Sequence, residues 1–225
     1  FDTAYELESE LTTNNKNDLL ESLRALAPKD MVCSFVRQPR ALGLGHAVLC
    51  AEPIVQDEPF AVLLADDLMC GPEGGPSVLT QMVDQFAIAG TSILAVQEVP
   101  VDHVKRYGIV AGEAVGDRLI KVRKMVEKPA PEHAPSRMGV AGRYVLTPAV
   151  FEKIRTQPRG AGGEIQLTDG IAQLMDSEGV HAYQYQGRRY DCGSKSGFLE
   201  ATVDMALKHP ALKDAFRAYL RSAVA

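Results

Sequence analysis

The chain has 225 residues, 46% apolar and 24% charged, which is enough to bury a sizeable core and does not fit a disordered polymer. The formal net charge is -5, with acids and bases interspersed, so there is no basic stripe of the kind nucleic-acid binding requires. No apolar run approaches the ~20 residues that span a bilayer, and no charged start precedes an apolar signal region, so a protein working in the cytoplasm, away from membranes, is expected.

The four cysteines, Cys33, Cys50, Cys70 and Cys192, lack C-x-x-C or zinc-finger spacing and are expected as reduced thiols. The chain opens on Phe1 rather than methionine and enters directly into a helical pattern, so an N-terminally incomplete polypeptide is expected. From Tyr5 to Ala27, leucines recur among acids and asparagines, giving two amphipathic helices broken near Asn14 and Asn15. Met31 to Arg37 alternates as a strand should, and Gln38 stands at its end beside Pro39. Gly43-Leu-Gly-His46 then reads as an ordinary turn into a helix over His46 to Ala51, although glycines there would also let backbone approach a flat ligand.

Phe60 to Ala65 is an unbroken apolar run, expected as a buried strand, and it ends on Asp66 and Asp67 before a glycine-rich loop. Ser77 caps a helix that continues to Ala89, and Ser92 to Val96 forms another buried strand. Strand, helix, strand, helix, strand implies right-handed crossovers and a mostly parallel sheet in this half. From Tyr107 the texture changes. Gly108 onward, Leu119 to Val126 and Met138 to Leu146 read as strands of an antiparallel insertion beside the first sheet, with Glu127-Lys128-Pro129 closing one of them. Helices follow from Pro148 to Ile154 and from Glu164 to Met175, then a strand from Val180 to Tyr185. Asp191 again places an acid after a strand and before a helix, Phe198 to Leu207, and a last helix, Pro210 to Ser222, either caps the core or packs on a partner chain.

In open α/β sheets ligands gather outside the carboxyl ends of strands, which makes Asp66 and Asp191 the first candidates for a site. Two hard carboxylates suit Mg²⁺, which binds through one or two such groups plus substrate phosphates; a turn or helix cap is the plain alternative for each acid alone. Lys128 would balance an incoming phosphate. No Ser–His–Asp or Cys–His arrangement is suggested, and His46 reads as a helix-start residue.

Five segments, Gly43-Leu-Gly-His-Ala-Val-Leu-Cys-Ala51, Val126-Glu-Lys-Pro129, Gly142-Arg-Tyr-Val-Leu146, Gly163-Glu-Ile-Gln-Leu-Thr-Asp169 and Asp191-Cys-Gly193, together closely resemble bacterial UTP–glucose-1-phosphate uridylyltransferases (UDP-glucose pyrophosphorylases). The resemblance runs from Phe1 to about Arg221 with motifs in the same order. It implies an α/β, Rossmann-like nucleotidyltransferase (GT-A-like) fold, a mixed sheet flanked by helices with a smaller antiparallel β lobe and C-terminal helices. It also implies one domain over 1–225, divided into a nucleotide-binding remainder (1–100), a sugar-binding β-rich half (101–195) and C-terminal helices (196–225).

The implied reaction is attack by a glucose 1-phosphate oxygen on the α-phosphorus of UTP, yielding UDP-glucose and pyrophosphate with Mg²⁺. The implied residues are Gln38 and Gly43 on the uracil edge, Asp66 and Asp191 on the metal, and Gly108 and Gly142 with backbone against the sugar. Glu127 would accept glucose hydroxyls and Lys128 would pair with the sugar phosphate; by the same offset Asp67 reads as a turn or cap residue. A homodimer or homotetramer is expected.

The alternatives are a sister nucleotidyltransferase using another nucleoside triphosphate, a glycosyltransferase, and a non-catalytic nucleotidyltransferase-like module. The family's opening strand, G-x-G-T-R loop and P-K-E segment have no counterpart in this chain. A chain beginning at Phe1 is therefore expected to lack the triphosphate cradle and the central strand, and to show no appreciable turnover.

Overall fold

The computed structural model describes residues 3–28 and 31–224, so Phe1 lies outside the described residues. The chain divides into two compact units, residues 1–39 and 40–225. In the first, helices α1 (Tyr5–Thr13) and α2 (Asn17–Arg24) bury Leu11 and Leu20. The break falls at the expected asparagines, because Asn15 takes a left-handed backbone (φ 53°) that Asn tolerates better than most residues. The Met31 to Arg37 strand is not formed: this stretch has no ladder partner, and Val32 and Phe35 are exposed. Alternation records a β-compatible sequence, but a strand exists only where its backbone groups are paired.

The second unit begins with two short helices, α3 (Leu44–Leu49) and α4 (Glu52–Val55), where the sequence suggested one. Strands β1 (Phe60–Leu63) and β2 (Asp67–Cys70) follow. Next come α5 (Val78–Ala89), capped by the Ser77 hydroxyl accepting from Thr80 N–H at 3.1 Å, and β3 (Ser92–Glu98). A 3₁₀ turn over Val101–Arg106 leads into β4 (Gly108–Gly116), β5 (Leu119–Glu127) and β6 (Met138–Leu146). The remainder is α6 (Ala149–Thr156), α7 (Leu167–Leu174), β7 (Val180–Gln184), β8 (Arg188–Asp191), α8 (Lys195–Lys208) and α9 (Lys213–Ala223).

Six strands form one sheet in the order β1-β6-β3-β7-β5-β4, with β6 also pairing β4, and β2 and β8 form a separate two-stranded ribbon. The expectation of a mostly parallel first half is corrected here: β1 and β3 do run the same way, but β6 lies between them and is antiparallel to both, and the parallel pairing recorded is β3 with β7. A strand–helix–strand pattern sets direction; it does not reveal a later strand inserted between. For the same reason β4, β5 and β6 join the main sheet rather than a separate insertion, and the small antiparallel element is the β2–β8 ribbon. The strand expected to be buried at Phe60 lies at the sheet's edge, with Ala61 and Leu63 exposed.

Helices cover both faces of β3. Leu94 and Val96 pack with Phe151, Ile154, Ile171 and Leu174 of α6 and α7, while Ile93 and Ala95 pack with Val78 and Met82 of α5. A strand buried on both sides reads as a continuous apolar run, which is why the Ser92–Val96 segment was legible from sequence. The final helix α9 packs on α8 and buries none of its own residues fully.

Candidate active site

The turn between β1 and β2 is tethered by several hydrogen bonds. Leu64 N–H donates to Gly142 O (2.9 Å), Asp67 N–H to Leu64 O (3.2 Å), and the Arg143 guanidinium to Leu64 O (3.1 Å) and Asp67 O (2.8 Å). Asp66 O accepts Cys192 N–H at 2.8 Å, which fastens this turn to the end of β8. Asp66 and Asp191 thus arrive at one place from distant parts of the chain. A Cβ on Gly193 would stand 2.9 Å from Asp66 Oδ2 and 3.3 Å from Asp191 Oδ1, so glycine leaves both carboxylates room to face a common point.

These acids open onto a cleft of about 360 Å³ that also takes in Gly108, Glu127, Lys128 and Gly142. The structure therefore gathers six of the eight residues singled out from sequence. Gly43 adjoins the same cleft through Leu44, its neighbour in the lining. Gln38 belongs to the first compact unit.

On the wall opposite the acids, Glu127 is held by Thr168, whose hydroxyl donates to Glu127 Oε2 at 2.7 Å. The other oxygen lies 3.5 Å from Lys128 Nζ. Lys128 has φ 45°, unusual for a residue with a side chain, and sits between Glu127 and Pro129 with its N–H donating to Tyr107 O (3.0 Å). Such backbone strain is kept where the surroundings over-determine it, and here it presents the ammonium to the cleft. A side chain at Gly108 would crowd the site, because its Cβ would lie 3.2 Å from Glu127 Oε2 and 3.3 Å from Thr168 Cγ2 and press on both. Burial, with a further push from Glu127, raises the Asp169 carboxyl above its ordinary value.

Sequence reasoning missed a buried group in the cleft lining. Asp67, read as a turn or cap residue, is instead 5% exposed and ion-paired with Arg189, itself 9% exposed. Its Oδ2 accepts the Gly142 N–H at 2.8 Å. Burial works against the Arg189 charge, and the adjoining Asp67 carboxylate more than offsets this, raising the guanidinium above its usual value. Arg189 also donates to Tyr107 Oη (3.0 Å) and lies over that ring, 5.3 Å from its centroid. The nearby Tyr144 hydroxyl is raised well above the ordinary phenol range, chiefly by burial and further by Glu127 and Asp67, so it stays neutral at the wall. The signal available in the sequence was the period of two along Arg188–Asp191, which sets Arg189 and Asp191 on one face of β8.

The G-x-G turn has a structural task. Gly43 has φ 106°, and a Cβ there would meet Glu164 Cβ and Ile165 O at 2.8 Å. Gly45 N–H donates to Ile165 O (2.9 Å) and Ile165 N–H to Leu42 O (2.7 Å), so the turn is laced to the segment that carries Thr168.

Residues 7–208 match the nucleotidyl transferase family. A UTP–glucose-1-phosphate uridylyltransferase of Pseudomonas aeruginosa is 47% identical over 204 residues, covering 90% of this chain and 72% of the relative. The chain belongs to the UTP–glucose-1-phosphate uridylyltransferases. A UTP-bound UDP-glucose pyrophosphorylase from Acinetobacter baumannii superposes with TM-score 0.87 at 39% identity, over 98% of this chain and 76% of that one. A UDP-glucose pyrophosphorylase complexed with UDP-glucose superposes with TM-score 0.80 at 41% identity, over 87% and 74%. Members of this uridylyltransferase group have the nucleotidyl transferase fold, and enzymes of that wider family generally use a divalent metal.

The donor set here fits such an ion. Among the described residues no cluster of three or more His, Cys, Asp or Glu could hold a metal unaided. A converging pair of carboxylates beside a phosphate-sized cleft is instead the arrangement in which hard cations complete their shell from substrate phosphate and water. Among the described residues no helix is long and apolar enough to cross a membrane.

Proposed function

We propose that this chain transfers a uridylyl group from UTP to glucose 1-phosphate, releasing pyrophosphate and UDP-glucose, with Mg²⁺ as the divalent ion. The observation that carries the reading is the convergence of Asp66, Asp191, Glu127, Lys128, Gly108 and Gly142 on one cleft in a chain whose relatives bear this activity in their names.

Asp66 and Asp191 hold the cation, which when bound neutralises charge on the α-phosphate and the departing pyrophosphate. Lys128 pairs with the phosphate of the sugar and steers its oxygen in line with the α-phosphorus. Glu127, fixed by Thr168, accepts hydrogen bonds from glucose hydroxyls, while the backbones at Gly108 and Gly142, both in the cleft lining, meet the sugar. Gln38 and Gly43 read the uracil edge. The attacking phosphate is already ionised, so positioning and charge balance do the chemical work and no general base is needed. The chain serves as one domain, a nucleotide-binding portion to residue 100, a sugar-binding portion over 101–195 and C-terminal helices from 196. It works in the cytoplasm as a homodimer or homotetramer, with no nucleic-acid or membrane partner.

The test runs the reaction in reverse. The complete gene product, given UDP-glucose, pyrophosphate and Mg²⁺, is expected to release UTP; turnover of dTDP-glucose but not of UDP-glucose would overturn the choice of base.

A further inference from the structure

Arg106 has no part in the scheme above, yet its guanidinium touches one of the two acids. It closes the 3₁₀ turn Val101–Arg106, which is anchored by buried Val104 and by Tyr107 N–H donating to Val104 O (3.1 Å). From there Arg106 Nη2 reaches Asp191 Oδ2 at 2.5 Å, and both residues line the cleft. The oxygen it holds is Oδ2, whereas Oδ1 is the one beside Gly193, 3.3 Å from the place of a Cβ there, a place that also lies 2.9 Å from Asp66 Oδ2.

We propose that Arg106 is a positioning residue for the cation site: it fixes the Asp191 carboxylate through one oxygen so that the other stays turned toward Asp66. This rests on the reading that Asp66 and Asp191 hold the divalent ion. A carboxylate on a strand end rotates freely about its last bond, and a charge-assisted hydrogen bond to one oxygen removes that freedom. The same contact screens one acid from the other before the ion arrives, and so lets two like charges stand close in its absence. The base of Arg106 is itself held, because the next residue, Tyr107, lies under the Arg189 guanidinium. Groups that orient a metal ligand from behind typically change metal affinity by about 10- to 100-fold when removed.

The experiment titrates Mn²⁺ into the complete gene product in the presence of UDP-glucose and follows free Mn²⁺ by its electron paramagnetic resonance signal. R106M, which keeps the aliphatic stem, is expected to weaken Mn²⁺ binding by at least about tenfold, and R106K to restore part of it. UDP-glucose binding measured without metal is expected to stay within about twofold of the parent. Mn²⁺ binding by R106M equal to or tighter than the parent would overturn the inference, tighter binding making Arg106 a competitor for the site. D191N separates the two levels of argument. If D191N loses Mn²⁺ while R106M keeps it, the role of Arg106 falls alone; if D191N also binds as the parent does, the cation assignment falls and takes this inference with it.

Discussion

Two aspartates stand side by side where the chain enters β2, and the molecule treats them in opposite ways. Asp67 is nearly buried in the cleft lining, paired with Arg189 and tied to Gly142, while Arg189 reaches on to Tyr107. Asp66 is exposed to the cleft, and Asp191 faces it with its side chain a quarter exposed. The doublet thus buries one carboxylate and leaves its neighbour open to the cleft. The inner acid is bound into the fold, and the outer acid is the one the proposed reaction would use.

Removing the inner acid is expected to have the largest effect. Asp67→Ala leaves a buried guanidinium uncompensated and the Gly142 N–H without its acceptor, a loss of about 3–5 kcal/mol to be read from urea unfolding. Asp66→Asn is the converse. Its stability is expected within about 0.5 kcal/mol of the parent, while turnover falls at least ~100-fold. If D66N unfolds early, or D67A folds normally and loses only rate, the division between the two acids is wrong.

A smaller effect is expected at Thr168, which stands to Glu127 as Gly142 stands to Asp67. Thr168→Val removes a hydrogen bond to a charged acceptor, about 1.5 kcal/mol, and is expected to raise KM for glucose 1-phosphate about tenfold with little change in kcat. Thr168→Ser should recover the parent value, which separates loss of the hydroxyl from loss of packing.

The smallest effect lies far from the cleft. His181 on β7 is partly buried and faces Lys121 across the β5–β7 pairing; burial first, and then this charge, lower its imidazole below the ordinary 6.5. A folded value below the unfolded one means that protonation favours the unfolded chain. Wild-type stability should therefore decline as pH falls below 6.5, and His181→Gln should flatten that part of the profile in thermal melts taken between pH 7.5 and 5.

How far these features could be read in advance depended on whether they were local. The Asn14-Asn15 break, the Ser77 cap and the doubly covered β3 each follow from a few neighbouring residues. The acids at Asp66 and Asp191 were legible because each stands beyond a strand-like segment, Phe60 to Ala65 and Val180 to Tyr185. What escaped was pairing over long distances. The insertion of β6 between β1 and β3, the edge position of β1, and the Asp67–Arg189 ion pair each depend on a partner distant along the chain, which periodicity does not name. Met31 to Arg37 shows the reverse error, a strand-like sequence without a ladder to join.

The lacing of Leu42 and Gly45 to Ile165 means that two ligand-facing walls are one mechanical body. Leu44 and Thr168 approach the cleft from segments far apart in the chain, yet neither can shift without drawing the other. The amide hydrogens of Gly45 and Ile165 should therefore exchange with solvent as a single unit.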